Sequence, residues 1–372
     1  MTNKSVPFFN YPDVYLSDKA SYDAIFFDVG TRGAFIEQKE VRGFEKSLAQ
    51  FSGARFAIGV ANATDGLTVI FRCLGMKPGD EVIFCSHTFV ATASSAYFAG
   101  AKLVPVECGK DHLIDPDAVE RAITEKTKFL VPTQLNGRTC DMDRLQQIAT
   151  KYQLTLVEDA AQGLGSKYKG KDAGTFGAAS VISFYPAKNL GCLGDGGAIL
   201  TNDEGLYQQM KVMRDHGRNA AGEVEVWGIN SRLDNLQAAF LSHKLEKYPQ
   251  IIAHRRHLAG LYQEGLGGMR QLTLPPPPTN DSTHFDVFQN YEIEAENRDG
   301  LKAHLQAHGV GTMIQWSGKA VHQFKGLGFN VSLPYTESLF TRMLMLPMNN
   351  SLKDEDVNYV CEKVRQFYGK PQ

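Results

Sequence analysis

Lys188 stands where two kinds of sequence meet. Before it, residues 179–185 (Ala-Ser-Val-Ile-Ser-Phe-Tyr) are small, β-branched or aromatic, as a buried strand requires, and Pro186 removes a backbone donor and ends the ladder. After it, Gly191, Gly194, Gly196 and Gly197 let the main chain pass close to a flat ligand. An amine at the carboxyl end of a strand can form a Schiff base with an aldehyde, and pyridoxal phosphate is the common aldehyde cofactor held in that way. Read alone, Lys188 is also a solvated lysine beside a loop, the commoner case. Three further features decide between the two: a carboxylate for the pyridine nitrogen, a cup for the phosphate, and an aromatic face for the ring.

Asp159 ends the apolar run 154–158 and is followed by Ala-Ala-Gln, which puts a carboxylate at the edge where open α/β sheets bind ligands. There it can keep a pyridine nitrogen protonated; it reads equally well as a helix cap. Residues 61–67 (Ala-Asn-Ala-Thr-Asp-Gly-Leu) follow one strand and open a helix, whose free N–H groups suit a phosphate. Phe89, at another strand-to-helix junction, can cover the ring face or be core.

The elements that must position these residues alternate. Strands are predicted at 56–61, 81–85, 102–106, 128–132, 154–158 and around Val181, with helices at 62–74, 88–98, 143–152 and 204–216 between or after them. Asp115-Pro116 opens a further helix with a cap and an N1 proline. This is an α/β pattern: a large domain (51–250) with a mostly parallel, doubly wound sheet. Ahead of it lies an aromatic-rich arm (1–50), irregular until a helix at 37–51. Helices at 231–247 and 257–266 precede Pro275 to Pro278, which reads as a linker. Strands at 287–295 and 311–315, a helix at 298–308 and a last helix opened by a capping box at 351–354 make a smaller C-terminal α+β domain (251–372).

Composition narrows the class. A chain of 372 residues exceeds the usual size of one core, and 43% hydrophobic with 22% charged residues is ordinary for a globular protein. The formal net charge of −2 gives no support to nucleic-acid binding or a polybasic membrane anchor. Six cysteines without a C-x-x-C pair read as reduced thiols, and residues 1–11 carry no apolar leader, so a cytoplasmic location is expected. No metal is expected: His304 and His308 have zinc-ligand spacing, but Leu305 stands where a metalloprotease needs glutamate.

Six motifs in order complete the picture: Asn-Ala-Thr-Asp-Gly, His-Thr-Phe-Val-Ala-Thr, Val-Glu-Asp-Ala-Ala-Gln, Ser-Phe-Tyr-Pro-Ala-Lys-Asn-Leu-Gly, Gly-Asp-Gly-Gly-Ala and Gly-Ile-Asn-Ser-Arg-Leu-Asp. Over nearly the whole chain the sequence resembles the DegT/DnrJ/EryC1/StrS aminotransferases, sugar aminotransferases of the aspartate aminotransferase fold type. The resemblance implies that Lys188 carries pyridoxal phosphate, that Asp159 pairs with its pyridine nitrogen and that Gln162 lies by its ring hydroxyl. It makes Phe89 the stacking aromatic, and Ala63, Thr64 and Ser183 the phosphate cup. Asn230 matches an asparagine that reaches the phosphate from a second subunit, which implies a homodimer. Family members with histidine in place of the lysine are dehydratases, so Lys188 implies a transaminase.

The expected reaction has two halves, with L-glutamate giving its amine, 2-oxoglutarate leaving, and a nucleotide-linked keto-6-deoxyhexose accepting, at C-4 in preference to C-3. The rival readings are an aminotransferase for a cyclitol or other free ketone, and a non-catalytic binding protein of the same fold. Substrate contacts are sought in Lys167, which alternates with Lys169 and Lys171 in a hairpin, in Arg218 and Arg232 on either side of Asn230, and in Trp316 and His322. Those last two replace the tyrosine and proline wording usual in that stretch of the family, and read as pocket wall or as core.

Overall fold

The computed structural model describes residues 4–279 and 283–369; the first three residues of the predicted arm and the last three of the chain lie outside them. The arm is more regular than its composition predicts. After an extended start in which Val6 pairs with Val310, it forms α1 (Tyr11–Leu16), α2 (Lys19–Thr31) and α3 (Lys39–Ser52). Pro12 is tolerated in α1 because a first-turn N–H has no helical acceptor to lose. α2 buries only Tyr22 and Val29 and leaves Phe26 and Phe27 exposed, so no apolar stripe announces it in sequence. α3 does carry such a stripe, with Val41, Phe44 and Leu48 buried, and was expected.

The large sheet grows by alternation. β1 (Phe56–Val60), α4 (Ala63–Cys73), β2 (Glu81–Cys85), α5 (Val90–Phe98) and β3 (Lys102–Val106) come first. α6 (Pro116–Ala122), β4 (Thr127–Val131), α7 (Met142–Tyr152) and β5 (Thr155–Asp159) follow. A hairpin of β6 (Lys167–Tyr168) and β7 (Lys171–Asp172) leads to β8 (Ala179–Ser183) and β9 (Gly197–Thr201), then α8 (Glu204–Arg214), α9 (Asn235–Glu246) and α10 (Tyr248–Leu266). The seven-stranded order is β1-β9-β8-β5-β4-β2-β3, parallel except for β9, which runs antiparallel to both neighbours. β9 was not predicted, since its first residue belongs to the glycine-rich turn. Adjacent residues of one strand serve opposite faces: Val181 and Ile199 pack with Leu67 and Ile70 of α4, whereas Ile182 and Leu200 pack with Phe44 of α3 and Leu241 of α9. Both faces are covered, as the uninterrupted apolar runs require.

The remaining chain adds β10 (Leu272–Thr273), β11 (His284–Phe285), β12 (Tyr291–Ala295), α11 (Arg298–Ala307), α12 (Pro334–Arg342), β13 (Met343–Leu346) and α13 (Asp354–Tyr368). β10-β12-β13 form an antiparallel sheet whose core is shared with α10, α11 and α13. The proline run therefore joins strands of one sheet and does not separate two units, since β10 before it pairs with β12 after it. No strand forms at 311–315: Met313 bridges Met345, and the chain then turns sharply through Trp316 and Ser317, both at positive φ. α13 is opened by the Asp356 carboxylate, which accepts from the Lys353 N–H at 3.0 Å; Ser351 instead donates to Asn349.

Candidate active site

β5 and β8 are parallel neighbours, with Asp159 opposite Val181, so their carboxyl ends deliver Asp159 and Ser183 to one edge of the sheet. A cavity of about 600 Å³ opens there, bounded by the first turn of α4, the lysine turn, and residues from 289–290 and 313–316. Asp159 is 5% exposed. Thr92 Oγ1 donates to its Oδ2 at 2.6 Å and the Ala161 N–H to its Oδ1 at 3.1 Å. Thr92 in turn bonds Thr88, and Thr88 bonds Thr133, which fixes the carboxylate's plane through a run of hydroxyls. Burial pushes the Asp159 carboxyl above its ordinary value, against the pull of Thr92, Ala161 and the Lys188 charge. Among the described residues no cation is hydrogen-bonded to it.

Lys188 sits in the turn that follows β8, its own N–H donating to the Tyr185 carbonyl at 2.8 Å. Gln289 clamps this turn from the other side of the cavity: its Oε1 accepts from the Asn189 N–H at 2.9 Å, and its Nε2 donates to the Ala187 carbonyl at 2.8 Å. Gly137 allows the grip, because a Cβ there would lie 2.6 Å from the Gln289 nitrogen. Burial pushes the Lys188 amine down to about 8, only partly offset by Asp159. A lysine at the ordinary 10.5 holds a negligible share of free amine near neutrality, whereas this one is half deprotonated at about pH 8. The rate at which cofactor-free protein takes up pyridoxal phosphate, followed by absorbance, is therefore expected to rise with pH and level off above about 8. A rate still climbing steeply at about pH 10 would contradict the lowered value.

The residues expected to hold the phosphate lie at the start of α4. Asn62 caps it, its side chain accepting from the Asp65 N–H at 2.8 Å, so the Ala63 and Thr64 amides are left without helical acceptors at the cavity. Gly197 is required here: a Cβ would lie 2.7 Å from the Asn62 carbonyl carbon and force β9 off the helix start. Phe89 immediately precedes α5 and is 54% exposed on the cavity, so it is not core. Gln162 lines the cavity and its Oε1 accepts from the Asn136 N–H (2.8 Å) and Asn290 Nδ2 (3.3 Å). Asn136 Oδ1 accepts from Asn290 (2.8 Å) and Gln315 (2.7 Å), which ties the second sheet's approach segment to the site.

One chain thus brings together Ala63, Thr64, Phe89, Asp159, Gln162, Ser183, Lys188 and Trp316. It does not bring in the rest. Asn230 is exposed and away from the cavity, on a segment that also exposes Val224, Val226 and Trp227, the last to 93%. Lys167 pairs with Asp172 at 3.0 Å, Lys169 with Asp143, and Lys171 lies over Phe176, so the hairpin's charges are already engaged. Arg218 and Arg232 both bond Asp215, at 2.8 and 3.0 Å. His322 is core and not pocket wall: it is 6% exposed, bonded to Ser86 Oγ at 2.7 Å and to Glu337 at 3.1 Å. The sequence reading missed Phe8, Phe9, Tyr11 and Tyr185, aromatics of the wall, and Asp195, Gln289, Asn290 and Gln315. Aromatic density in the arm was the one available signal for the first three.

The donor set fits pyridoxal phosphate. An amine with a lowered pKa, a buried carboxylate with no cation of its own, two free helix amides and an uncovered ring face meet in one cavity. Residues 19–365 match the DegT/DnrJ/EryC1/StrS aminotransferase family. The "pleiotropic regulatory protein" of Geobacillus stearothermophilus is 38% identical, over 98% of this chain and 99% of its own. The dTDP-3-amino-3,4,6-trideoxy-alpha-D-glucose transaminase of Streptomyces venezuelae is 36% identical, over 97% and 96%. The crystal structure of NtdA from Bacillus subtilis with bound cofactor PMP superposes with a TM-score of 0.89 at 28% identity, covering 99% of this chain and 86% of that one. Among the described residues no helix is long and apolar enough to cross a membrane. With its fold and nearly its full length matched, the chain belongs to the DegT/DnrJ/EryC1/StrS aminotransferase family and is a pyridoxal-phosphate-dependent aminotransferase.

Proposed function

We propose that this chain transfers the amine of L-glutamate to a keto group on a nucleotide-linked deoxyhexose. The observation that carries the reading is the joint placement of Lys188 and Asp159 in a cavity of about 600 Å³ with apolar walls beyond the cofactor residues. Bound pyridoxal phosphate supplies an aldehyde for the lysine and a ring that withdraws electrons from the bond being broken. The chain supplies the rest. Asp159 holds the pyridine nitrogen positive, and Ala63, Thr64 and Ser183 hold the phosphate. Phe89 covers the ring, with Gln162 at its hydroxyl. Lys188 Nζ would take the proton from the donor's α-carbon in the first half and return a proton to the sugar carbon that carries the new amine in the second. Trp316, with Met313 and the arm's Phe9, walls the space left for the sugar.

The relatives' names move the ring carbon from the C-4 expected from sequence toward C-3, since the S. venezuelae protein is named for a 3-amino sugar. Incubating the protein with glutamate and a panel of 3-keto and 4-keto sugar nucleotides, and reading 2-oxoglutarate and amino sugar by mass spectrometry, tests the reading. Turnover of a 3-keto sugar is expected; turnover only of free cyclitol ketones would overturn it.

The active unit is a homodimer in this reading, with the large domain at 51–250 and the small one at 251–372. Its support is the exposed segment that carries Asn230 and Trp227, together with the exposed Phe26, Phe27, Tyr97 and Phe98, since monomers rarely leave such apolar area uncovered. Trp227→Asp is expected to shift sedimentation toward monomer and to weaken cofactor retention together. A variant that stays dimeric with normal retention would remove this segment from the interface.

A further inference from the structure

A second cavity, of about 430 Å³, lies beside the lysine turn, between α1, α2, the start of α10 and residues 349–351. Phe9 and Lys188 border both cavities. Its wall holds cations that the fold does not neutralise. Arg255 is 1% exposed and makes four hydrogen bonds, from Nε to Asn350 Oδ1 at 2.8 Å and from Nη1 to the carbonyls of Phe288 (2.9 Å), Gln289 (3.2 Å) and Met348 (2.9 Å). Every acceptor is uncharged, and none of these bonds uses Nη2. Lys244, on α9, donates to the Gly191 carbonyl, again an uncharged acceptor. His254 adds a buried Nε2 with no partner among the described residues.

The other titratable groups facing this space are Asp13, Asp18, Tyr22, Lys188, His243 and Lys247. Asp18 is already taken: it bonds Lys247, His243 Nε2 at 2.6 Å and Ser21 Oγ at 2.7 Å. Among the described residues the Lys244 ammonium and the Arg255 guanidinium have no carboxylate partner, and burial pushes them down to about 8 and about 10. Buried charges are normally paired, so a cavity edged by two unpaired ones has the make-up of an anion site.

We infer that this second cavity binds a small carboxylate, held by Lys244 Nζ and Arg255 Nη2 against the turn that carries Lys188. With Nε and Nη1 engaged, Arg255 Nη2 offers one charged donor and Lys244 Nζ another, one for each oxygen of a carboxylate. Two sources share that chemistry: the oxo acid or amino acid of the proposed reaction, and an unrelated carboxylate acting as an effector. The site itself does not depend on which sugar is the acceptor.

The test uses holoenzyme reduced with borohydride, which retains the cofactor and cannot turn over, titrated by calorimetry with 2-oxoglutarate, succinate, acetate and inorganic phosphate. Lys244→Gln is expected to weaken carboxylate binding at least about tenfold with an unchanged circular dichroism spectrum. Lys247→Gln, at an exposed position, frees the Asp18 charge to repel the ligand and is expected to weaken binding as well, should Lys244→Gln fold poorly. Trp316→Ala, at a residue that lines the first cavity and not the second, should keep wild-type affinity. 2-Oxoglutarate binding more tightly than succinate and acetate assigns the reaction's own acid; equal binding of the three assigns an effector. Undiminished affinity in both lysine variants, loss confined to Trp316→Ala, phosphate binding as tightly as the carboxylates, or no binding at all would overturn the inference.

Discussion

Lys188→Ala is expected to lower turnover by at least about 10⁴-fold, because the residue acts both as the attachment point and as the proton carrier. The loss should appear in kcat with folding intact, since the Lys188 amine makes no hydrogen bond to another described residue and its turn is held by backbone contacts and by Gln289. Lys188→Arg tests the chemistry separately: charge is retained, but a guanidinium neither forms the imine nor gives up its proton near neutrality. Both variants should fold, still bind the phosphate through α4, and fail to exchange the α-proton of glutamate. Exchange at the wild-type rate in either would show that another base does the work.

Asp159→Asn is expected to cost about 10² to 10³ in kcat, the usual loss when one fixed electrostatic contact to a developing charge is removed. The amide is isosteric: its Oδ1 can still accept from the Ala161 N–H, and its Nδ2 would donate to Thr92 Oγ1 with that bond reversed, so the site's shape survives. What it cannot do is hold a pyridine nitrogen positive. Burial raises the Asp159 carboxyl above its ordinary value, and an ion pair with a bound ring would favour the charged form. Cofactor content should stay near wild type while glutamate half-turnover, measured by stopped-flow absorbance, slows. A change within about fivefold would mean that the ring nitrogen is not controlled from this side.

How much of this was legible in the chain depends on the kind of signal. β2 and β3 have the predicted bounds because each is a short apolar run closed by turn residues, and the Asp115 cap is where side-chain chemistry placed it. Lys188, Asp159, Phe89 and the α4 amides were found because strand ends and helix starts of one parallel sheet converge on one edge. β9 was lost in its glycines, and α2 has no stripe to read. Gln289, Asn136 and Gln315 are lone polar residues between the main elements, and only folding brings Gln289 to the lysine turn, Asn136 to Gln162 and Gln315 to Asn136. Lys167, Arg218 and His322 lie outside this chain's cavity, because the fold supplies Asp172, Asp215 and Ser86 as their partners.

The most direct measurement is hydride trapping. Protein supplied with pyridoxal phosphate is reduced with borohydride, digested, and its peptides are weighed. The mass of a reduced pyridoxyl phosphate group is expected on the peptide covering residues 184–191, on Lys188 and in stoichiometric yield. An unmodified peptide at that place, with the adduct on another lysine or nowhere, would contradict the account at its root.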